Sequence, residues 1–118
     1  MQLLANGLIG LVAFLHFYFL VLEMFLWDKP FGLRTVGHSR SLAATTKVLA
    51  MNQGLYNGFL AAGLVWGLSL GDAGYSIKLF FLTCIVIAGI FGGLTASRII
   101  LFVQALPAVV ALGVLVFL

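Results

Sequence analysis

The chain has 118 residues, of which 64% are hydrophobic and only 8% are charged, and its mean hydropathy is +1.24. Soluble domains have roughly 45–50% apolar and about 25% charged residues, and a chain this short could not keep so few polar residues on a water-exposed surface. The net charge of +3 comes from basic residues at segment ends rather than in one patch, which argues against nucleic acid as a partner. The composition therefore predicts an all-α, polytopic membrane protein with a single domain over residues 1–118 and the lipid bilayer as its main partner.

The first predicted helix is the apolar run at the start of the chain. A membrane helix needs about 20 apolar residues, and Leu3 to Trp27 meets this with Glu23 as its only charged residue. No Lys or Arg precedes the run, so we expect it to be retained rather than cleaved as a signal peptide. Residues 28–47 contain charged residues, glycine and proline, and are predicted to be the only substantial loop.

The second predicted helix has a clearer end than start. It starts between Ala43 and Val48 and ends at Leu70, so that it covers about residues 45–70. Ser41 is the candidate N-cap. The sequence GDAG follows directly at positions 71–74 and is typical of a turn.

The last two predicted helices share the apolar stretch Ser76–Leu118. This stretch is too long for one helix across hydrocarbon about 30 Å thick, so we expect one turn. A turn at Ser97–Arg98 would give two helices of nearly equal length, whereas a turn at Gln104–Pro107 places proline in the first turn of a helix. We favour the second position, which gives a third helix over about 76–100 and a short fourth helix over about 104–118.

The charges of the predicted first loop indicate its orientation. This loop carries one acidic and four basic residues: Asp28, Lys29, Arg34, Arg40 and Lys47. The positive-inside rule therefore predicts that the first loop is cytoplasmic. In a four-helix bundle in the cell membrane, both termini then lie outside.

Polar residues within the predicted helices form the candidate site. Because a lone charge at the bilayer centre costs about 2.5–3.5 kcal/mol on insertion scales, such residues are expected to face the protein interior and to have partners. They come from three predicted helices: Glu23 from the first, Asn52, Gln53, Tyr56 and Asn57 from the second, and Arg98 and Gln104 from the third stretch. The hypothesis is a cytoplasm-facing polar pocket in which Arg98 binds an anionic or amphipathic small molecule and Glu23 is the counter-charge. Two structural alternatives are hydrogen bonds that only hold helices together and a simple ion pair between Glu23 and Arg98.

Other features are consistent with packing. His16 lies seven residues before Glu23, on nearly the same helix face, and is expected to be a packing residue. Three glycine pairs at a spacing of four residues predict close helix contacts, within the bundle or between protomers of a homo-oligomer, either a dimer or a trimer. These pairs are Gly54 with Gly58, Gly63 with Gly67, and Gly89 with Gly93. Motifs for nucleotide hydrolysis, zinc chemistry and serine hydrolysis are absent, so the motifs indicate no catalytic residue, metal or cofactor.

Three segments together resemble one family. They are LEMFLW at Leu22–Trp27, KVLAMNQGLYNGFLAAGLVWG at Lys47–Gly67 and SRIILFVQALPA at Ser97–Ala108. These segments are similar to the bacterial membrane family defined by domain of unknown function 1304, over nearly the whole chain. The resemblance implies a small multi-pass membrane protein and no particular activity.

A more distant resemblance is to the membrane-associated glutathione-metabolising (MAPEG) proteins, which are trimeric four-helix enzymes. The segment Lys47–Gly67 with Asn52 is similar to their second helix, and SRIILF at Ser97–Phe102 is similar to their third. No tyrosine follows Arg98 as that family's pattern would have it. The resemblance implies glutathione or another anionic thiol as a ligand.

Two other functions compete with ligand binding. Four short spans with one acidic residue in the first, Glu23, are the layout of small dimeric multidrug transporters. The glycine faces would instead suit a structural or assembly protein.

Overall fold

The structure is a computed structural model that describes residues 1–118. It contains five α-helices and no strand: α1 (Gln2–Phe25), α2 (Pro30–Val36), α3 (Arg40–Ser69), α4 (Tyr75–Thr95) and α5 (Leu106–Phe117). A 3-10 turn at Gly71–Gly74 connects α3 to α4, and a π-helical segment at Leu101–Ala105 leads into α5. The predicted all-α class is confirmed, and the turn at GDAG occurs where it was predicted.

The additional helix, α2, lies inside the segment that was predicted to be a loop. Pro30 occupies its first turn, where the missing N–H costs nothing. Gly37 ends it in the left-handed conformation, with φ of 79°, and donates its N–H to the Leu33 carbonyl at 2.9 Å. Both signals are present in the sequence, but seven residues are too few to show a helical period.

Helix α3 begins earlier than predicted because a different serine caps it. Ser39, rather than Ser41, accepts a hydrogen bond from the Leu42 backbone N–H at 3.1 Å. The helix consequently starts at Arg40, and only the residues from Gly37 to Ser39 separate it from α2.

The last turn lies at residues 96–98, which corrects the preference for a turn at Gln104–Pro107. Close packing on both sides of this turn explains its position. A Cβ on Gly93 would lie 2.2 Å from Leu101, and a Cβ on Gly89 would lie 2.6 Å from the Ala105 backbone nitrogen. Gly93 and Leu101 are each four residues from Ser97, and Gly89 and Ala105 are each eight, so both contacts require a hairpin centred there.

The chain continues as a helix through Pro107 instead of turning. Proline lacks an N–H and its ring would clash with the carbonyl four residues earlier. The preceding residues Leu101–Ala105 are π-helical, and Leu106 donates its N–H to the Leu101 carbonyl, five residues back. The wider turn relieves the clash, and residues 99–117 form one helical stretch.

The chain divides into two compact units. One consists of Met1–Leu15 with Leu60–Leu118, and the other is His16–Phe59. The first unit has a buried hydrophobic core to which four helices contribute: Ile9, Val12 and Ala13 from α1, Leu64 from α3, Leu82 and Ile85 from α4, and Ala108 and Ala111 from α5. In the second unit, α1 and α3 approach closely where the Leu20 side chain covers Gly58.

Two helical segments are long and apolar enough to cross a membrane, judged by length and composition. They are Gln2–Phe25, with 24 residues, and Gly71–Thr95, with 25 residues. Of the 18 most apolar consecutive residues in each segment, only 28% are buried. Leu101–Phe117 is a shorter apolar helix.

Candidate functional site

Glu23 and Asn57 form a polar pair between two apolar helices of the unit His16–Phe59. The Asn57 side-chain amide donates to Glu23 Oε1 at 2.5 Å. Asn57 is 5% exposed, whereas Glu23 is only partly buried. The pair therefore combines a buried amide with a partly buried acidic residue.

The closeness of these two side chains depends on Gly54. A Cβ at this position would lie 2.7 Å from Met24 Cγ and 3.1 Å from Glu23 Cβ, which is closer than normal van der Waals contact. Glycine at 54 thus lets α3 lie against α1 at the level of the carboxylate. The sequence placed Glu23 and Asn57 in one predicted site, and they are hydrogen-bonded in the structure.

The other predicted residues of α3 are not drawn into this pair. Asn52, Gln53 and Tyr56 are exposed, and Tyr56 packs its ring edge-on against Phe59 at 6.0 Å. None of these three side chains hydrogen-bonds to Asn57. They remain accessible to a ligand, to lipid or to another protomer.

Arg98 and Gln104 belong to the other unit. Arg98 is exposed in the turn that follows α4 and forms no ion pair within the chain, while Gln104 is partly buried in the π-helical segment. The Arg98 guanidinium is free to meet an anion, since it has five N–H donors and no carboxylate partner.

A third polar group lies in residues 28–47, which we call the basic segment. Trp27, just before it, donates its indole N–H to Thr46 Oγ1 at 3.0 Å, and the His38 ring packs edge-on against the indole at 4.6 Å. Lys47 Nζ lies 3.0 Å from Asp28 Oδ2. The hydrogen bond from Lys47 holds the pKa of the Asp28 carboxyl below its ordinary value, so this ion pair is intact at neutral pH.

One buried charge, Lys78, was not among the predicted site residues. It is 1% exposed. Its aliphatic chain covers Gly67, where a Cβ would lie 2.7 Å from Lys78 Cγ, and its Nζ donates to Asn6 Oδ1 at 3.2 Å. Nearby in the same unit, Gln2 hydrogen-bonds Asp72. The sequence feature that could have revealed the burial of Lys78 is its position one turn into an apolar helix, where a charged group requires a hydrogen-bonding partner.

His16 is a buried residue, as expected for packing. It is 0% exposed, and its ring packs edge-on against Phe19 at a centroid distance of 5.1 Å. The structure contains no group of three or more His, Cys, Asp or Glu side chains that could hold a metal ion. Cys84 is a free, partly buried thiol.

These features define a small all-helical protein in which two helices are long and apolar enough to span a membrane. Residues 10–116 match the family described as protein of unknown function (DUF1304), and the chain belongs to this family. The family predicted from the three sequence segments is thereby confirmed.

One similar protein is the uncharacterized protein YpaA of Lactococcus lactis subsp. lactis (strain IL1403). It is 30% identical over 104 residues, which cover 86% of this chain and 87% of YpaA. No solved structure matches the chain significantly.

Proposed function

We propose that the protein is a small integral membrane protein that crosses the bilayer four times and binds a small amphipathic molecule. The membrane location is supported by the low burial of Gln2–Phe25 and Gly71–Thr95. Only 28% of the most apolar part of each segment is buried. An apolar helix in a soluble core would be mostly buried. Here Phe14 and Phe17 on α1, and Ile87 and Phe91 on α4, are each more than half exposed, as suits contact with lipid.

The other two crossings in this proposal are α3 and the helical stretch 99–117. Helix α3 has 30 residues, and the apolar part that follows its basic start is long enough for a bilayer. The stretch 99–117 spans about 28 Å at the usual rise of 1.5 Å per residue, close to a hydrocarbon core of about 30 Å. In this arrangement the basic segment is cytoplasmic and both termini are outside.

The observation that carries the binding proposal is the hydrogen bond of 2.5 Å between Asn57 and Glu23. A carboxylate is costly among apolar helices, and such residues commonly mark a binding site or a pathway. The carboxylate accepts only the one side-chain hydrogen bond from Asn57, so it can also accept one from an ammonium or hydroxyl group of a ligand. The exposed apolar side chains around α1 and α3 suit the rest of an amphipathic molecule.

Arg98 supports the part of the proposal in which the ligand is anionic. Its guanidinium is exposed and has no ion pair within the chain, and guanidinium groups bind carboxylates and phosphates well. The distant likeness to the MAPEG proteins makes glutathione, which has both an amine and carboxylates, the first ligand to test. Fold likeness alone does not transfer an activity, so the proposal concerns binding only.

A thermal-unfolding screen of the purified protein in lipid nanodiscs tests this function. The ligands are glutathione and two amphiphiles of equal chain length, one anionic and one cationic. Ligand at 100 times its Kd stabilises the folded state by about 2.7 kcal/mol. We expect Glu23→Gln to abolish stabilisation by the cationic compound and Arg98→Gln to abolish stabilisation by the anionic ones, while the exposed control Asp72→Asn changes neither. Absence of stabilisation by all three compounds would refute the binding function.

A further inference from the structure

The net charge of the chain is concentrated in the basic segment, residues 28–47. This segment has four basic residues and one acidic residue, whereas the rest of the chain has two of each sign. Its excess of three positive charges therefore equals the net charge of +3 of the whole chain. Such a concentration beside a long apolar helix requires a balancing negative partner or is balanced by solvent ions.

Within the chain, only part of this charge is balanced. Lys47 forms the ion pair with Asp28, and the neighbouring Lys29 adds a weaker electrostatic attraction to the same carboxylate. Arg34 and Arg40 are exposed and form no ion pair. The segment consequently presents two arginines, and the exposed ammonium of Lys29, to its surroundings.

The basic segment is also held in a defined conformation. A Cβ on Gly32 would lie 1.8 Å from the Leu26 carbonyl oxygen, so α2 packs directly on the end of α1. His38 further ties the segment to Trp27, since its Nε2 lies 3.2 Å from the Trp27 carbonyl oxygen. The charged side chains are thus displayed from an ordered support rather than from a free loop.

Apolar side chains are exposed beside the arginines. Phe31 and Val36 of α2 are 43% and 41% exposed, and Leu42 of α3 is 51% exposed. Exposed aromatic and aliphatic side chains next to arginine and lysine are typical of a segment that lies in the headgroup region of a membrane. An acidic soluble partner would account for the charges but not for these apolar neighbours.

We infer that the basic segment binds the headgroups of anionic phospholipids, with Arg34 and Arg40 contacting the phosphates and Phe31 and Val36 entering the upper part of the acyl region. The inference rests on the membrane location proposed above and adds a lipid class to it. Guanidinium groups bind phosphate through two parallel hydrogen bonds, and each basic residue near an anionic surface contributes up to about a fivefold gain in affinity.

Fluorescence quenching by brominated lipids tests this inference on the full chain. The chain has two tryptophans, so Trp66→Phe leaves Trp27, next to the basic segment, as the reporter. The protein is reconstituted in vesicles that contain phosphatidylglycerol and phosphatidylcholine, with bromine on the chains of one lipid or the other. The ratio of quenching gives the relative affinity of the two lipids near Trp27.

We expect a severalfold preference for phosphatidylglycerol that declines as salt is raised. The double variant Arg34→Gln/Arg40→Gln should lose most of this preference, and the charge-conserving Arg34→Lys/Arg40→Lys should keep most of it. Thr35→Gln changes an exposed, uncharged side chain within the segment and should leave the preference unchanged.

The outcomes separate this inference from the proposed function. Equal quenching by both lipids in the Trp66→Phe protein would overturn the lipid assignment, and so would an undiminished preference in the double glutamine variant. Neither result would contradict the membrane location. Absence of quenching by either lipid would overturn the membrane location, and the inference with it.

Discussion

Two ionisable side chains in this protein are held by amides rather than by opposite charges. Glu23 accepts from Asn57, and Lys78 donates to Asn6. In surroundings of low dielectric, an uncompensated charge costs several kcal/mol, so each amide stabilises the charged residue that it contacts.

The Lys78 pair gives a test at the residue scale. Asn6→Leu leaves the buried ammonium without its acceptor, and we expect a loss of about 1.5–3 kcal/mol in unfolding free energy, the usual range for a hydrogen bond to a charged group. The double variant Asn6→Leu/Lys78→Met removes both polar groups and should recover most of that loss. Reversible unfolding in detergent, followed by circular dichroism, measures both.

Gln2→Leu is the matched control for this pair. Gln2 also lies on α1 and also hydrogen-bonds a residue of the α3–α4 region, Asp72, but both partners are exposed. Its replacement should change stability by less than about 0.5 kcal/mol. Equal losses for Gln2→Leu and Asn6→Leu would mean that burial of Lys78 is not the cause.

At the scale of helices, glycine determines where neighbouring elements meet. Each of the three glycine pairs found in the sequence contacts another helix of the same chain. Gly54 and Gly58 meet α1, Gly63 and Gly67 meet α4, and Gly89 and Gly93 meet the segment before α5. These glycine faces are therefore used for contacts within one chain.

Gly89 and Gly113 provide a matched comparison. A Cβ at Gly89 would lie 2.6 Å from a backbone nitrogen, whereas a Cβ at Gly113 has no atom within 4 Å. We expect Gly89→Ala to destabilise the protein by about 1–3 kcal/mol through overpacking. Gly113→Ala should be neutral or stabilising by up to about 1 kcal/mol, because alanine favours the helix. Thermal unfolding of the two variants under identical conditions measures both effects. Changes of the same sign and size would contradict the hairpin contact.

At the scale of the molecule, the distribution of charge bears on the arrangement proposed above. The basic segment carries the whole net charge, and the turn at residues 96–98 contains Arg98. The turn at Gly71–Gly74 contains only the acidic Asp72. Four crossings with the basic segment inside agree with this distribution, since positive charge is retained on the cytoplasmic side.

Labelling with a membrane-impermeant maleimide tests this topology. In a Cys84→Ala background, single cysteines replace Ser39, Ala73 or Ser97, all of which are exposed. In intact cells we expect labelling at position 73 only, and labelling at 39 and 97 only after permeabilisation. Labelling of positions 39 and 97 from opposite sides would exclude four crossings, and labelling of 39 in intact cells would reverse the orientation.

Much of the helical layout could be predicted from the sequence. The ends of α1 and α3 follow from where apolar runs meet Asp28 and GDAG, because these boundaries depend on local composition and turn chemistry. The sequence analysis placed Glu23 and Asn57 in one candidate site but made Glu23 the counter-charge of Arg98, and only the structure showed its hydrogen bond to Asn57.

What the sequence alone determined is therefore the all-α class and the family. Only the tertiary structure decided the position of the last turn, the burial of Lys78 and the presence of α2. The local preference of proline for the first turn of a helix favoured a turn at Gln104–Pro107. The contacts of Gly89 and Gly93 instead centre the hairpin on Ser97. The physical reason is that a helix boundary responds to packing between segments distant in sequence, and one proline can be accommodated by a single π turn at lower cost than the loss of that packing.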